Sequence, residues 1–231
     1  MIINVMYPSA ASLYGDSFNV EYLKMAVKDC KVVYSSFNER PYFADHDIDM
    51  FYMGSMMERY QKTIIDELQP YKERIIELIE SGVVFLCTGN SFEIFGKAIN
   101  DIEALNIFDY QTEINFDHHH NSCFLGEYKN MEIVGFKSCF SSTFNNNYDF
   151  IKVKKGFGFK DNNFNEGVRY KNFFGTYLIG PLLVLNPHFS EYLLNLLKVE
   201  YQLPYQEAID NAYNIRVKEY NSYKEIREFK H

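Results

Sequence analysis

The stretch that most constrains the fold of this chain is Val83–Gly96, VVFLCTGNSFEIFG. Its apolar run Val83–Cys87 predicts a buried strand, and the helical spacing of Phe92, Phe95 and Ile99 predicts a helix beginning at Phe92. A polar turn, TGNS, separates the two. A strand, a tight glycine turn and a helix form a nucleophile elbow, in which one turn residue stands above the free N–H groups of the helix. Simple strand-to-helix connections share this geometry, so the turn residues decide whether chemistry occurs there.

The first half of the chain repeats the alternation of strand and helix. Strands are predicted at Ile2–Tyr7, Lys31–Phe37 and Asp49–Met53, and helices from Val20, over Arg59–Leu68 and over Tyr71–Ser81, the last ending at Gly82. Such alternation is typical of an α/β fold with a doubly wound, mostly parallel central sheet and flanking helices.

The second half changes to a period of two, which predicts additional short antiparallel strands. These strands are expected at Thr112–Phe116, Ser122–Leu125, Met131–Phe136, Ile151–Val153 and Lys171–Tyr177. A helix is predicted over His188–Lys198 with Asn186 as its N-cap, and a charged helix within Tyr205–Phe229. No linker interrupts the chain, so a single domain is expected over 1–231, with 201–231 as a C-terminal helical extension.

Composition excludes several classes of function. The 23 basic and 31 acidic residues give a net charge of −8, which argues against nucleic acid and against an anionic membrane surface as partners. No apolar run approaches the roughly 20 residues of a membrane helix, and the N-terminus lacks a basic secretory signal. The four cysteines show no paired spacing and are interpreted as reduced thiols of a cytoplasmic protein. Nothing in the sequence indicates a cofactor.

Five stretches together resemble the class I glutamine amidotransferase family, in the branch of CobB/CobQ-type cobyric acid synthases and of GatD, a lipid II isoglutaminyl synthase subunit. The stretches are LYGDSFNVEYLK (Leu13–Lys24), DIDMFYMGSMMERYQKTIIDEL (Asp47–Leu68), SGVVFLCTGNSFEIFG (Ser81–Gly96), GFKSCFSST (Gly135–Thr143) and GVRYKNFFGTYLIGPLLVLNP (Gly167–Pro187). They occur in the family's order, and the resemblance is strongest over residues 1–200.

The resemblance implies an activity and a partner. In the family, a cysteine at the elbow attacks the side-chain amide of glutamine, a histidine activates it, and the ammonia passes to a synthetase. The thiolate and the oxyanion need stabilisation by an imidazolium and by backbone N–H groups. For the GatD branch, the implied partner is a Mur-ligase-like subunit.

The chain departs from the family at the catalytic positions. The family elbow Cys-Gly-Gly-Tyr-Gln-Leu-Leu-Gly, matched without gaps on Gly96, places Gly89 at the nucleophile and Glu93 at the family's glutamine. The motif Gly-Thr-Tyr-Leu-His-Gly-Pro becomes GTYLIGP, so Ile179 takes the place of the histidine. Neither residue can perform its step, since glycine has no side chain and isoleucine cannot transfer a proton. The sequence therefore predicts an amidotransferase-like protein without glutaminase activity, acting as a binding or partner subunit.

Other residues are expected to line the crevice at the strand ends. Asp16 and Asn19 follow the first strand, and in an open α/β sheet such loops face the ligand. The family's frame adds the remaining binding candidates: Gly54, Ser55, Gln61, Asn90, Ser91, Glu93, Thr176 and Tyr177.

Three alternatives stay open at this point. Cys87 could serve as the nucleophile of an active glutaminase that supplies ammonia to a synthetase, although this requires a shift of two residues against Gly96. A new hydrolytic or small-molecule site could be built from Ser55, Asn90, Ser91 and Glu93. His118 and His120 would share one face of a strand and could hold a metal with a third ligand, although an incidental histidine hairpin is the simpler interpretation.

Overall fold

The computed structural model describes residues 1–159 and 164–225 of the chain. The strands are β1 (Ile2–Met6), β2 (Lys31–Ser35), β3 (Met50–Met53), β4 (Val84–Thr88), β5 (Ala98–Ile99), β6 (Ile102–Glu103), β7 (Gln111–Ile114), β8 (His120–Tyr128), β9 (Met131–Cys139), β10 (Ser141–Phe144), β11 (Asp149–Lys155), β12 (Asn165–Tyr170), β13 (Phe173–Thr176) and β14 (Leu178–Ile179). The α-helices are α1 (Phe18–Ala26), α2 (Tyr42–Asp45), α3 (Gln61–Leu68), α4 (Lys72–Ser81), α5 (Leu182–Leu185), α6 (Pro187–Leu196) and α7 (Gln206–Ser222). Short 3₁₀-helices lie at Leu13–Gly15, Glu58–Tyr60, Gln69–Tyr71 and Gly89–Phe95.

Most of these strands form one large mixed sheet. Over the described residues its order is β14-β9-β8-β11-β12-β13-β4-β3-β1-β2. The block β13-β4-β3-β1-β2 is parallel, and the strands from β12 outward are antiparallel. A smaller sheet has the order β10-β7-β5-β6. The α/β class, with flanking helices and antiparallel strands in the C-terminal half, is confirmed.

The two faces of the parallel block bury separate apolar clusters. Phe51, Phe85 and Phe173 point to one face, which α3 and α4 cover. Their neighbours along the strands, such as Leu86 and Phe174, point to the other face, where α1 and α6 pack. Successive side chains of a strand face opposite sides, so continuous apolar runs are what a strand buried on both faces requires.

The predicted helix end at Gly82 is confirmed, and a hairpin turn shows similar backbone conformations. Gly82 ends α4 in the left-handed conformation, with φ of +90°, which glycine adopts without a steric cost. Lys129 and Asn130 both have positive φ and connect β8 to β9 as a tight hairpin.

The predicted helix beginning at Phe92 is wrong. The segment after β4 is a 3₁₀-helix, Gly89–Phe95, and Ile99 lies in β5, where it pairs with Thr112. The chain leaves the helix at Gly96 because the Tyr110 ring packs against that residue: a Cβ on Gly96 would lie 2.6 Å from the ring. Phe92 and Phe95 are buried on this 3₁₀-helix, which turns more tightly than the α-helix that their spacing predicts.

Smaller differences concern element ends in the second half. Lys171, with φ of +49°, belongs to the turn between β12 and β13 and not to a strand. Asn186 precedes α6 but forms no side-chain cap, because its side chain bonds the backbone of Val134 and Leu182. The predicted C-terminal helix is α7, and 226–229 lie outside the described residues. None of the described helices is long and apolar enough to cross a membrane.

Candidate functional site

The turn after β4 has no space for a side chain at Gly89, the residue predicted at the nucleophile position. Gly89 directly follows β4 and has φ of +64°, a conformation that costs energy for every residue except glycine. A Cβ built on Gly89 would lie 2.5 Å from both Cβ and Oγ of Ser55, and 3.0 Å from its Cα. The Ser55 side chain therefore occupies the volume that a nucleophile at position 89 would require.

A buried carboxylate, Asp16, connects the strand ends around this turn. Its Oδ2 accepts hydrogen bonds from the Ser55 backbone N–H (3.0 Å) and from Thr88 Oγ1 (2.7 Å). Its Oδ1 accepts one from the Gly180 backbone N–H (2.9 Å). Burial raises the pKa of Asp16, and these three hydrogen bonds oppose the rise. Asp16 thus holds segments that follow β3, β4 and β14 in a fixed relation.

Ile179, which the sequence analysis predicts at the family's histidine position, lies close to the same carboxylate. It is buried in β14, where it pairs with Phe136 of β9. The next residue, Gly180, is the one that donates to Asp16. Gly89 and Ile179 are therefore each adjacent in sequence to a group bound by Asp16.

Asn19 and Gly54 also help to fix the backbone around this turn. Asn19 is fully buried, donates to the Tyr52 hydroxyl (3.1 Å) and accepts from the Leu183 N–H (2.8 Å). A Cβ on Gly54 would lie 2.6 Å from the Ala11 carbonyl oxygen, so only glycine fits there. Both residues hold the backbone of the crevice in place.

A second buried carboxylate, Glu93, lies on the 3₁₀-helix after the turn. Gln61 Nε2 donates to Glu93 Oε2 (2.6 Å) and to the Asn90 carbonyl oxygen (3.2 Å). Oε1 of Glu93 has no partner in hydrogen-bonding geometry among the described residues, although the Ser141 and Tyr177 hydroxyls face the carboxylate. Burial raises the pKa of Glu93 to about 7, and the facing donors limit the rise.

The remaining turn residues are bound to backbone groups. Asn90 accepts from the Met56 N–H (3.0 Å) and donates to the Met56 carbonyl (2.9 Å), so it fastens the segment after Ser55 to the turn. Ser91 Oγ lies 2.8 Å from the carbonyl oxygens of both Met53 and Thr88. Asn90 is at the surface of the crevice, whereas Ser91 is fully buried.

Thr176 and Tyr177 face a third buried acid, Glu166. Thr176 Oγ1 donates to Glu166 Oε2 (2.6 Å), and the Tyr177 N–H donates to Oε1 (2.8 Å). The Tyr177 hydroxyl lies 2.7 Å from Thr143 Oγ1. Both residues are fully buried, so they shape the core beneath the crevice.

A pocket of about 180 Å³ opens beside the turn. Its lining includes Ser55, Glu58 and Asn90 on one side, and His119 and Cys139 on the other. Gly89 is buried and does not line it. The crevice is present, and the polar side chains of its wall include serine, asparagine, glutamate and histidine.

Cys87 lies inside the core. It has no exposed surface and belongs to the same apolar cluster as Phe85. Burial raises the pKa of its thiol well above the ordinary value, and a contact with Ser91 only partly opposes this. A thiol in such surroundings is held in its unreactive, protonated form.

The histidines at 118–120 do not share one strand. His118 precedes β8, whereas His120 is its first residue and lies 2.9 Å from Ser122 Oγ. His119 stacks on the Phe140 ring. Within 1–159 and 164–225, no group of three or more histidine, cysteine or acidic side chains is placed to hold a metal ion.

Several residues of the site were missed by the sequence analysis. Thr88 could have been found, because it stands in the polar turn itself. Glu166 gave no signal, since it stands just before the matching stretch that begins at Gly167; the structure places it in β12. Lys137 and Ser141, which lie near Glu166 and Glu93 respectively, were quoted only as parts of a matching stretch.

The sequence of this chain is similar to those of known proteins. Residues 2–186 match the CobB/CobQ-like glutamine amidotransferase domain. The Lipid II isoglutaminyl synthase (glutamine-hydrolyzing) subunit GatD of Staphylococcus aureus (strain N315) is 29% identical over 216 residues, which cover 90% of this chain and 89% of the relative. The protein of the same name from Streptococcus pneumoniae (strain ATCC BAA-255 / R6) is 27% identical, covering 88% of this chain and 85% of that one.

Solved structures show the same fold. A crystal structure of a glutamine amidotransferase superposes with a TM-score of 0.57 at 13% identity, covering 85% of this chain and 99% of that one. The turn after β4, the crevice beside it and the paired strand ends thus occur in a fold shared with that enzyme. With four-fifths of its length matched by the family's domain, this chain belongs to the CobB/CobQ-like glutamine amidotransferase family and is of its GatD/CobQ type.

Proposed function

We propose that this protein is an amidotransferase-like subunit that does not hydrolyse glutamine and that acts by binding a synthetase partner. The observation that carries the proposal is the fit between Ser55 and Gly89. With the Ser55 side chain 2.5 Å from where a Cβ would stand, the elbow has neither a nucleophile nor space for one.

The surrounding chemistry supports the same conclusion. Ile179 cannot act as a base, and the carboxylate beside the turn, Asp16, is occupied by three hydrogen bonds. Loss of both nucleophile and base removes most of the rate enhancement of such enzymes, on the order of 10⁶-fold by analogy with catalytic triads.

The alternative nucleophile, Cys87, has unfavourable surroundings. An attacking thiolate needs access to substrate and a stabilising positive charge. Cys87 has no exposed surface, and its pKa is raised by burial. Treatment with a glutamine-mimicking diazo-ketone tests this alternative. We expect no adduct on Cys87, whereas labelling that Cys87→Ser abolishes would support an active enzyme.

The proposed partner is a Mur-ligase-like synthetase, since the two curated relatives are each named as a subunit of an isoglutaminyl synthase. The matches cover 89% and 85% of the lengths of those subunits. A role in binding the synthetase requires the folded surface and not the elbow chemistry.

The experiment combines this protein with the Mur-ligase-like synthetase encoded in the same genome. Complex formation is measured by size-exclusion chromatography with light scattering, and amidation is measured with glutamine or with ammonium chloride as nitrogen source. We expect a complex that uses ammonia and not glutamine. The S. aureus relative with its own partner is the positive control.

Two results would overturn the proposal in different ways. Glutamate release at ordinary enzymatic rates, about 1 per second or faster, would show that the site is active. Failure to form a complex at micromolar concentrations would contradict the role as a partner subunit. It would not contradict the claim that the elbow is inactive.

A further inference from the structure

We propose that a second pocket, with Lys137 in its wall, binds a small anionic ligand through a carboxylate or phosphate group. This pocket adjoins the crevice at the elbow, with Cys139 and Phe140 in the walls of both, and the inference holds whether or not glutamine is hydrolysed. It rests on the shape of the pocket, on a buried lysine and on a buried hydroxyl without a partner.

The pocket lies where β8, β9 and β10 meet the segment 157–159. Its volume is about 220 Å³, roughly seven times the 30 Å³ that one water molecule takes in the liquid. Its polar wall consists of Asn115, His118, His120, Lys137, Ser141 and Ser142. No acidic residue is among the described lining residues, so the wall is rich in hydrogen-bond donors and basic in character.

Lys137 is an unusual residue to find in such a wall, because its side chain is only 3% exposed. Its Nζ donates to the Gly158 carbonyl oxygen (2.5 Å) and lies 4.8 Å from the centre of the Tyr177 ring. In the part of the chain that the structure describes, no carboxylate comes within ion-pair distance of this nitrogen. Glu166 is near enough for Lys137 to oppose the rise of its pKa, which burial raises.

An ammonium group has three protons to donate, and one protein acceptor leaves donor capacity unused. A buried charge without a matched partner is unfavourable unless an opposite charge compensates it. A bound anion in the adjoining pocket would supply that charge and would accept the remaining protons.

Ser141 supplies a second donor. It is 6% exposed, and its Oγ has no partner in hydrogen-bonding geometry, although it also faces Glu93. Lys137 and Ser141 thus bring an ammonium and a hydroxyl to the wall of one pocket. Such donors match the oxygens of a carboxylate or a phosphate, and hydrogen bonds to these charged groups are stronger than neutral ones.

The test is isothermal titration calorimetry of the intact protein with sodium phosphate and, separately, with sodium malonate, at constant ionic strength. Neither probe resembles glutamine, so the elbow crevice is not the target. We expect saturable binding of at least one probe, weakened about 10- to 100-fold by Lys137→Met and by a smaller factor in Ser141→Ala. The preferred probe identifies the ligand as a carboxylate or a phosphate.

Lys97→Met is the matched control, because Lys97 is exposed and lies outside the pocket. It should bind as the unmodified protein does. The proposal fails if neither probe binds saturably below about 10 mM, or if Lys137→Met and Ser141→Ala bind as tightly as the control. Should Lys137→Met not fold, Ser141→Ala and Ser142→Ala decide the matter, since each removes only a hydroxyl.

Discussion

Asp16 and Glu93 are both fully buried carboxylates near the same turn, and they differ in how they are satisfied. Asp16 accepts three hydrogen bonds from three separate segments. Glu93 accepts one from Gln61 and leaves Oε1 without a partner in hydrogen-bonding geometry. A carboxylate whose acceptors are filled acts as a structural link, whereas one that is half filled is held by fewer partners. The difference separates a carboxylate that joins three segments from one that depends on a single donor.

The largest effect is expected from Asp16→Ala. This change leaves the buried N–H groups of Ser55 and Gly180 without acceptors, and each such group costs about 1–3 kcal/mol. We expect the free energy of unfolding to fall by about 4 kcal/mol, measured by urea denaturation. Asp16→Asn keeps one acceptor oxygen and should lose about half as much. A loss below 1 kcal/mol for Asp16→Ala would contradict the role of a structural link.

Gly89→Ala tests the tight contact beside Asp16. The added methyl group would have to enter the volume of the Ser55 side chain in a backbone conformation that disfavours alanine. We expect a loss of about 2–4 kcal/mol in the free energy of unfolding. Combined with Ser55→Gly, the same change should cost only about 1 kcal/mol, because the overlap is then relieved and the backbone term remains. Equal costs in both backgrounds would show that Ser55 does not fill the site.

The pH dependence of stability tests the titration of Glu93. Its pKa is about 7 in the folded protein, against an ordinary 4.5, so the folded state binds more protons between these values. Stability contributed by protonated Glu93 is complete below about pH 4.5 and is lost as pH rises through 7, by up to about 3 kcal/mol. Glu93→Gln should flatten this part of the profile in denaturation between pH 5 and 8. An unchanged slope would mean that another group titrates there.

Protonated Asp16 also contributes stability that is lost as pH rises, because burial raises its pKa as well. The slope attributed to Glu93 is therefore the difference between the profiles of the unmodified protein and Glu93→Gln, and not the whole slope.

The smallest effect is expected from Gln61→Met, which removes the donor to Glu93 at similar volume. At pH 8, where Glu93 is charged, the loss should be about 2 kcal/mol. At pH 5 it should be about 1 kcal/mol, because a neutral carboxyl accepts a weaker hydrogen bond. Thermal denaturation at both pH values measures the difference. An effect that does not vary with pH would separate Gln61 from the titration of Glu93.

The parallel half of the fold could be predicted because its signal is local. Strands β3 and β4 are apolar on both faces, and Gly82 marks the end of α4. The prediction failed where distant packing decides the structure. The helical spacing of Phe92 and Phe95 does not reveal that Tyr110 closes the chain over Gly96.

The sequence predicts the positions of the candidate site but not the contacts between its residues. The matching stretches predict, without any structure, that Gly89 and Ile179 stand in the catalytic positions. The contact between Ser55 and Gly89 joins residues 34 positions apart, and no pattern in either stretch indicates it. The same holds for the bond from Gly180 to Asp16, which spans 164 residues.

The contact between Ser55 and Gly89 also couples these two positions in any variation of the chain. A cysteine introduced at position 89 would meet Ser55 before it met any substrate, so its first effect would fall on folding and not on activity. The change Ser55→Gly would have to come first, and it brings no nucleophile by itself. The two positions are therefore epistatic: the effect of a side chain at position 89 depends on which residue stands at position 55.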